Sequence, residues 1–219
     1  MSLPYKLIVF DWDGTVIDSN KRIIHCFQVA IEELGLAARD DEQIRSIIGL
    51  SMSAAMYHLY DNKINDELID TFVQHYRAHY FSNLPIPTPL FPEVSETLEQ
   101  LEEAGYWLAV ATGKGTIGLQ KSIQDSGLTG RFHSTRTAEQ TRSKPHPQML
   151  HEIMVECDKT PEETLMIGDS TFDLEMANNA KVASIAVTCG AHSVERLQQH
   201  APLTCLQQIR ELPHWLATQ

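Results

Sequence analysis

Cysteine is scarce in this chain, and long apolar runs are absent from it. The four cysteines lie far apart and form no Cys-x-x-Cys pair, which argues against a zinc site and against a disulfide framework. No stretch is long and apolar enough to span a bilayer. The first apolar run meets Asp11 almost at once, whereas a signal peptide needs a longer apolar region and a small-residue cleavage site. We therefore expect a soluble, cytoplasmic protein.

Basic residues are also in short supply. Lysine and arginine number 17 against 29 aspartates and glutamates, so the formal net charge is -12 at pH 7. Such a chain is not expected to bind nucleic acid or an anionic membrane non-specifically. Its 219 residues, of which 42% are hydrophobic, are ordinary for a soluble protein of one domain or slightly more. An anionic substrate would have to be attracted by a local cation or by a few placed basic groups.

Short apolar runs alternate with helical patterns over most of the chain. The apolar runs are typical of buried parallel strands and cover residues 7–10, 107–111, 164–167 and 182–187, with a short last strand near 203–206. Helix-period patterns occupy residues 94–104, 117–126, 147–157 and 174–180. This alternation predicts βαβ units, and therefore a parallel sheet with helices on both faces.

One segment breaks this alternation. Between about residues 20 and 82 the sequence has helix-period patterns and no convincing strand, and a proline-dense stretch at 85–92 follows. We infer a helical subdomain inserted after the first strand and tethered by 15–19 and 85–92. The predicted boundaries are 1–17 and 85–219 for the sheet domain, and 18–84 for the helical one.

Two carboxylates follow the first strand. In an extended chain Asp11 and Asp13 point the same way, and Gly14 then lets the backbone turn sharply. Paired carboxylates can bind a cation, and repulsion or desolvation raises the pKa of one of them. One carboxylate could then act as a nucleophile while the other donates a proton. Taken alone, an aspartate-rich turn explains this motif equally well.

Groups suited to phosphate come later in the chain. Thr112 and Gly113 follow the second strand and precede a helix, where a hydroxyl and glycine N–H groups suit phosphate, although the spacing is not that of a P-loop. Lys144 lies just before a helix whose first residue is expected to be Pro147, and its compact charge suits a phosphoryl oxygen. Neighbouring His146 is better interpreted as a surface or substrate-loop residue than as an acid or base.

A second acidic pair follows the strand at 164–167. Asp169 and Asp173 lie four apart at the start of a helix and therefore share a face, where they could simply complement the helix dipole. Alternatively, Asp169 adds a hard oxygen ligand to the Asp11 and Asp13 pair, which suits Mg²⁺. Each of these clusters lies where an apolar strand ends, and open parallel sheets bind ligands at that edge.

Four motifs of this chain resemble, in order, those of the haloacid dehalogenase superfamily: Asp11-Trp-Asp-Gly-Thr15, Thr112, Lys144 and Gly168-Asp169-x-x-x-Asp173. The helical insert after the first motif is similar to that of the phosphoglycolate phosphatase and β-phosphoglucomutase branch. The resemblance implies an α/β fold with a Rossmann-like, doubly wound parallel sheet core and an inserted all-helical cap. It also implies a Mg²⁺-dependent phosphatase that acts on a small phosphorylated metabolite.

The resemblance implies a role for each acidic residue. Asp11 attacks phosphorus and becomes the aspartyl phosphate, while Asp13 protonates the leaving oxygen and then activates water. Mg²⁺ is bound by Asp11, by the carbonyl of Asp13 and by Asp169. Asp173 orients a water on the metal, or orients Lys144.

The resemblance also implies that Thr112, Gly113 and Lys144 bind the phosphoryl oxygens, together with the backbone at residues 12 and 13. These roles make physical sense, because phosphoryl transfer depends on in-line positioning and on neutralising equatorial charge. A cation that bridges nucleophile and phosphate also offsets the repulsion between two anions.

Several alternatives stay open. A dehalogenase is disfavoured because such enzymes lack the second aspartate, here Asp13. A phosphoglucomutase-type phosphotransferase needs basic cap residues for a second phosphate, but the corresponding loop, 47–56, has no lysine or arginine, although Arg45 lies just upstream. A phosphonatase needs a cap lysine, and neither Lys21 nor Lys63 is specifically placed for that role. A catalytically silent binding protein on this fold is the last alternative.

The candidate specificity residues are Gly49 and Ser51 in the cap loop 47–56 and Arg45 just upstream of it, although Gly49 could equally end a helix. The loop favours a monophosphorylated, partly apolar substrate; phosphoglycolate, a sugar phosphate, a nucleotide and pyrophosphate all remain open. We expect a monomer or a homodimer. His75 and His79 lie four apart on a cap helix, but no third zinc ligand is evident, so simple packing is the favoured interpretation.

Overall fold

The computed structural model describes residues 5–219, and its centre is a six-stranded parallel sheet. In chain order the strands are β1 (Leu7–Phe10), β2 (Trp107–Thr112), β3 (Ser134–Thr137), β4 (Thr164–Gly168), β5 (Ala183–Val187) and β6 (Cys205–Leu206). They lie side by side in the order β3-β2-β1-β4-β5-β6. The chain thus winds outward from β1 in both directions, which is the order of a doubly wound α/β fold. The predicted fold class is confirmed.

The middle of the sheet is buried on both faces. Every residue of β1 is buried, and the strand pairs with β2 on one side and β4 on the other. Ile8 and Phe10 belong to the apolar cluster on one face, whereas Leu7 and Val9 belong to the cluster on the other. Alternate side chains of a strand point to opposite faces, so a strand covered on both sides has to be apolar throughout.

The segment inserted after β1 is helical and is termed the cap. Its helices are α1 (Asn20–Glu33), α2 (Asp41–Arg45), α3 (Met52–Leu59) and α4 (Asp66–Tyr80). They enclose an apolar cluster of their own, in which the rings of Phe27 and Phe72 have centroids 5.2 Å apart. Asp40, Ser51 and Asn65 each accept a hydrogen bond from a backbone N–H in the first turn of the following helix. These capping hydrogen bonds at the helix N-termini fix where α2, α3 and α4 begin.

Two connections run side by side between the cap and the sheet domain. Ile17 in the first connection forms an antiparallel bridge with Leu90 in the second. The guanidinium of Arg22 donates hydrogen bonds of 2.6 to 2.8 Å to three carbonyl oxygens between residues 80 and 86. The second connection is therefore tied to both α1 and the first connection. The division of the chain at 17/18 and 84/85 stays a prediction.

The remaining helices cover the sheet. They are α5 (Val94–Glu103), α6 (Thr116–Asp125), α7 (Gln148–Cys157), α8 (Thr171–Ala180), α9 (Val194–Gln198) and α10 (Leu212–Leu216), with 3-10 turns at Pro161–Glu163 and Ile209–Glu211. The prediction that α7 begins at Pro147 is wrong by one residue, because Pro147 occupies the capping position before the helix. The polar strand β3 was not predicted. None of the helices in residues 5–219 combines the length and the apolar character that a bilayer crossing requires.

Candidate active site

The polar motifs meet at the carboxyl edge of the sheet. Asp11 follows β1, Asp169 follows β4 and Thr112 ends β2, and these three strands are neighbours. Connections leave β1 and β4 towards opposite sides of the sheet, which opens a crevice at this point of the edge. The topology therefore brings together motifs that lie more than a hundred residues apart in the sequence.

Three carboxylates and one ammonium group form a buried cluster, termed the acidic cluster: Asp11, Asp169, Asp173 and Lys144. Each of these residues is at most 1% exposed. Lys144 Nζ donates to Asp11 Oδ1 over 2.6 Å and to Asp173 Oδ1 over 2.5 Å. The carboxylates of the three aspartates offer oxygen atoms that all lie within 4.8 Å of one another. A single cation thus faces three carboxylates in a place closed to solvent.

Asp169 is held by hydrogen bonds and by the close approach of two glycines. Thr15 Oγ1 donates to its Oδ1 over 2.7 Å, and the N–H of Ala191 donates to its Oδ2 over 2.7 Å. A Cβ on Gly14 would lie 2.3 Å from Asp169 Oδ2, and one on Gly190 would lie 2.0 Å from it. Gly14 also has a φ of +90°, which only glycine adopts readily. The first motif therefore needs its glycine both for the turn and for contact with Asp169.

Asp173 serves the helix and the cluster at the same time. Its Oδ2 accepts hydrogen bonds from the N–H and the hydroxyl of Ser170, at 3.1 and 2.7 Å, which completes the capping box of α8. Its Oδ1 is the partner of Lys144. The helix-dipole interpretation and the functional interpretation of this aspartate are thus both consistent with its contacts.

Burial and neighbouring charges together set the pKa values of these groups. Removal from water raises the pKa of Asp11 well above its usual range, Lys144 opposes this rise, and the charges of Asp173 and Asp169 add to it. Burial, followed by the charge of Asp173, raises the pKa of Asp169 to about 7. Burial alone would lower the pKa of Lys144, but the charges of Asp11 and Asp173 outweigh burial and raise it. Ionisation of all three carboxylates would leave more negative charge than Lys144 neutralises, and a second cation would offset that charge.

The carboxylate of Asp13 has a separate set of partners. Its Oδ1 accepts from Ser19 Oγ over 2.7 Å and from Lys114 Nζ over 2.9 Å, and its Oδ2 accepts from Lys114 Nζ over 3.0 Å. Lys114 Nζ also donates to Tyr80 Oη of the cap over 3.0 Å. Burial would lower the pKa of Lys114, but the charge of Asp13 outweighs this effect and raises it. A role for Lys114 was not predicted, and its position next to Gly113 is the one sequence signal that indicates it.

The turn after β2 lies directly against the cap. Thr112 is buried, and its Oγ1 accepts the N–H of Lys114 over 3.1 Å, so its hydroxyl hydrogen stays available to a ligand. A Cβ on Gly113 would come within 2.5 Å of the carbonyl oxygens of Gly49 and Leu50. The absence of a side chain at Gly113 is therefore what allows the cap loop to approach.

A cavity of about 390 Å³ lies between the sheet edge and the cap. Asp11, Asp13, Thr112 and Gly113 line it on the side of the sheet. Most of the remaining lining is apolar and consists of Ile23, Phe27, Ile47, Ile48, Leu50, Met52, Ala55, Val73, Tyr76, Tyr80, Phe81, Ile117 and Ala138. The volume is within the range of about 300–1,000 Å³ that is usual for small-molecule sites. Asp11, Asp13, Thr112 and Gly113 thus border a space that can hold an organic molecule, whereas Lys144 and Asp169 are not among its described lining residues.

Of the three predicted specificity residues, two line the described cavity. Gly49 and Ser51 line the cavity, whereas Arg45 is half-buried at the end of α2 and is not among the described lining residues. His146 accepts a hydrogen bond from Arg142 over 2.8 Å and likewise does not line the cavity, in agreement with a surface role. The roles of the two cap-loop residues and of Arg45 stay predictions.

The two histidines of α4 bind a common carboxylate. His75 Nδ1 and His79 Nε2 lie 2.7 and 2.9 Å from the two oxygens of Glu33 on α1. These hydrogen bonds lower the pKa of Glu33. In the described part of the chain, the ligand atoms of these three residues do not all lie close enough together to hold a metal ion. Their contacts join α4 to α1, and the packing interpretation stays a prediction.

Comparisons with known proteins agree with this geometry. A model of the family described as haloacid dehalogenase-like hydrolase matches residues 8–187. The chain is 32% identical over 209 residues to "Probable phosphatase IndB" of Dickeya dadantii, a match that covers 94% of this chain and 91% of the relative. It is 30% identical over 221 residues to a phosphoglycolate phosphatase of Vibrio parahaemolyticus, with 94% of each chain covered.

Solved structures share the same architecture. A hydrolase of the haloacid dehalogenase-like family from Streptococcus pneumoniae superposes with a TM-score of 0.82 at 25% identity, over 98% of this chain and 99% of that one. A hydrolase from Pseudomonas syringae superposes with a TM-score of 0.89 over 97% and 98% of the two chains, and at 21% identity it shows the fold alone. The four sequence motifs lie inside the region that the family model matches. The predicted superfamily is therefore confirmed, and this chain belongs to the haloacid dehalogenase-like hydrolase family.

Proposed function

We propose that this protein is a Mg²⁺-dependent phosphatase that hydrolyses a small phosphomonoester through an aspartyl phosphate on Asp11. The prediction of a phosphatase-type hydrolase agrees with the family and with relatives that are named phosphatases. The observation that carries the proposal is the setting of Asp11. Its carboxylate is buried at the end of β1, lies 2.6 Å from the ammonium of Lys144 and lines a cavity large enough for a small metabolite.

Asp11 has one oxygen that is held and one that is open. Its Oδ1 accepts the hydrogen bond from Lys144, whereas its Oδ2 receives no hydrogen bond from any residue in the range 5–219. Displacement at phosphorus requires the attacking oxygen to lie in line with the leaving oxygen, and a fixed carboxylate meets that requirement at little entropic cost. We therefore assign the attack to Oδ2, while Lys144 stabilises the charge of the carboxylate and of the arriving phosphoryl group.

Asp13 is assigned as the acid of the first step and the base of the second. Ser19 and Lys114 fix its carboxylate, and it lines the same cavity as Asp11. In the first step it donates a proton to the leaving oxygen. Once the alcohol has left, the charge of Lys114 stabilises the ionised carboxylate that activates water.

Thr112 and Gly113 are assigned to the phosphoryl oxygens. They lie in the turn between β2 and α6, where the free hydroxyl of Thr112 and backbone N–H groups can donate to an anion. The first turn of a helix adds the positive end of its dipole to such a site. Lys144, which donates a hydrogen bond to Asp11, contributes a full positive charge beside the nucleophile.

Asp11, Asp169 and the carbonyl of Asp13 would hold the Mg²⁺. The fit rests on the donors: buried carboxylate oxygens within 4.8 Å of one another, which are hard ligands, and burial that, together with the neighbouring carboxylates, raises the pKa of Asp11 and Asp169. Both oxygens of Asp173 are already engaged, one by Lys144 and one by the capping serine of α8, so this residue positions Lys144. When bound, Mg²⁺ would offset repulsion between nucleophile and phosphate and stabilise the charge of the transferred group.

The cavity favours hydrolysis over the alternatives. A phosphotransferase of the phosphoglucomutase type needs a free cation for a second phosphate, but the loop 47–56 has no lysine or arginine and Arg45 does not line the described cavity. The cap arginine that does line it, Arg77, is paired with Glu139. A phosphonatase needs a cap lysine in the cavity, and neither Lys21 nor Lys63 lines it. A silent binding protein has no need of the complete set of reactive groups that this chain retains.

Phosphate release from a panel of phosphomonoesters, measured with Mg²⁺ and with excess EDTA, tests the proposal. We expect turnover with Mg²⁺, loss of turnover in EDTA and loss of turnover in Asp11→Asn. The matched control is Asp125→Asn, which alters an exposed aspartate at the end of α6 and should leave turnover unchanged. Turnover in EDTA or in Asp11→Asn would contradict the proposal. Binding of phosphorylated ligands without any turnover would favour the silent binding protein.

A further inference from the structure

The two cations that line the described cavity are both already paired. Lys114 Nζ donates to both oxygens of Asp13 and to the hydroxyl of Tyr80, which uses all three of its N–H groups. Arg77 of α4 forms an ion pair with Glu139, which in turn accepts the N–H that opens α6. An anionic group on the organic part of a substrate would therefore find no free cation in this lining.

Carboxylates outnumber cations in the same lining. Besides Asp11 and Asp13 it contains Asp70 and Glu139, and Asp70 has no ion-pair partner in the described part of the chain. The positive charges of Lys144 and of a bound Mg²⁺ would be balanced by the negative charges of the acidic cluster and of the phosphate itself. A second carboxylate, brought in by the substrate, would lose its hydration opposite negative charge, and such uncompensated burial is costly.

The uncharged part of the lining includes a wall of aromatic rings: Phe27, Tyr76, Tyr80 and Phe81. The centroids of Phe27 and Tyr76 are 5.1 Å apart, those of Tyr76 and Tyr80 are 5.6 Å apart at an interplanar angle of 27°, and those of Tyr80 and Phe81 are 5.6 Å apart. Rings that pack against one another keep their orientation before a ligand arrives. Such a preorganised wall suits a flat apolar group, which can stack on it or meet it edge to face.

From this lining we infer that the organic part of the substrate is uncharged and carries a flat apolar ring, and that the enzyme discriminates against phosphomonoesters that carry a carboxylate. The inference rests on the proposed phosphatase function. In the reaction the ester P–O bond breaks as the bond between Asp11 Oδ2 and phosphorus forms, and the alcohol leaves with the proton of Asp13. Water then releases inorganic phosphate from Asp11. The preferred substrate thus differs from the one in the names of the phosphoglycolate phosphatases among the relatives.

Four esters of primary alcohols test the inference when kcat/KM is measured with Mg²⁺: benzyl phosphate, 4-carboxybenzyl phosphate, cyclohexylmethyl phosphate and 2-phosphoglycolate. The first two have leaving groups of similar reactivity, so their ratio reports the carboxylate alone. We expect kcat/KM for benzyl phosphate to exceed that for 4-carboxybenzyl phosphate by about tenfold or more. We expect it to exceed that for the non-planar cyclohexylmethyl ester by about three- to tenfold.

A charge placed on the cavity wall provides a second readout. Val73 of α4 lines the cavity, is half-buried and has no part in the proposed chemistry. Val73→Lys should bring the ratio of benzyl to 4-carboxybenzyl phosphate towards one, whereas the matched control Val73→Met should keep the wild-type ratio. An unchanged ratio in a folded Val73→Lys protein would overturn the charge argument. If that variant does not fold, the wild-type ratio decides alone.

The four esters distinguish failure of this substrate inference from failure of the proposed phosphatase function. Hydrolysis of 4-carboxybenzyl phosphate or 2-phosphoglycolate as efficiently as benzyl phosphate would overturn this inference and leave the proposed phosphatase function intact. An equal kcat/KM for the benzyl and cyclohexylmethyl esters would overturn the assignment of a flat ring. Failure to hydrolyse all four esters and any other phosphomonoester would overturn the proposed function and the inference with it.

Discussion

Replacement of Lys144 by methionine should destabilise the protein strongly. Lys144 is buried, and its ammonium lies 2.6 Å from Asp11 Oδ1 and 2.5 Å from Asp173 Oδ1. Methionine fills similar space without a charge, so two buried carboxylates would lose their cation. Removing one partner of a buried ion pair costs about 3–5 kcal/mol, and we expect a loss of that size in the free energy of unfolding at pH 8 without Mg²⁺. Domains are commonly stable by only about 5–15 kcal/mol, so the loss is large.

The size of this loss should depend on pH. Burial already raises the pKa of Asp11 in the folded protein, and without Lys144 it should rise further, while the unfolded chain keeps an ordinary value. A carboxyl whose pKa is higher in the folded state contributes its full stability below the unfolded-state pKa and loses it as pH rises through the folded-state pKa. Lys144→Met should therefore be penalised most at pH 8 and least near pH 5. Added Mg²⁺ should restore part of the stability at pH 8.

Urea denaturation followed by circular dichroism at pH 5 and pH 8 measures both effects. The matched control is Lys121→Met, which removes an exposed lysine that pairs with Asp125 over 2.8 Å on α6. We expect the control to change the free energy of unfolding by less than about 0.5 kcal/mol. A loss in Lys144→Met no larger than in the control, or a loss that is equal at both pH values, would refute the charge argument.

Three further predictions concern metal binding at Asp169, acid stability at His192 and the contact of Gly113 with the cap loop. The pKa of Asp169 is raised to about 7, so Mg²⁺ binding should displace its proton, and calorimetric affinity should be about tenfold higher at pH 8 than at pH 6; equal affinities would contradict this. Burial lowers the pKa of His192 to about 4. This histidine therefore makes its full contribution to the free energy of unfolding above about pH 6.5, and that contribution, up to about 3 kcal/mol, should be lost as pH drops through 4. His192→Gln should flatten that part of the urea-denaturation profile, and an unaltered profile would assign the acid sensitivity to other groups. Gly113→Ala would place a Cβ 2.5 Å from two carbonyl oxygens of the cap loop, so kcat/KM should fall by about tenfold or more, and a wild-type value would show that the loop yields freely.

Much of the fold could be predicted because buried strands appear in the sequence as short apolar runs. Strands β1, β2, β4 and β5 lie inside the sheet and are largely apolar, and their boundaries agree with the prediction to within one residue. The strand β3 lies at the edge of the sheet, and its Ser134-Thr-Arg-Thr137 sequence carries no apolar run. Its place is fixed by pairing with β2, which a local pattern does not report.

The candidate site could be predicted only where chemistry follows a strand. Asp11, Asp169 and Thr112 stand at ends of neighbouring strands, so topology alone brings them together. The contact of Lys114 with Tyr80, by contrast, depends on how the cap sits on the sheet domain, and no periodicity encodes that arrangement. The cytoplasmic location and the choice between monomer and homodimer stay predictions for the same reason, since neither follows from local pattern.

In the proposed mechanism Asp11 carries the phosphoryl group during turnover. It can be tested by acid quenching of the enzyme during turnover of a phosphomonoester with Mg²⁺, followed by borohydride reduction and peptide mass spectrometry. Reduction converts an aspartyl phosphate into homoserine, so we expect homoserine at position 11, and none there when the substrate is left out. Rapid turnover with unmodified aspartate at position 11, or homoserine at position 13 or 169 instead, would contradict the account.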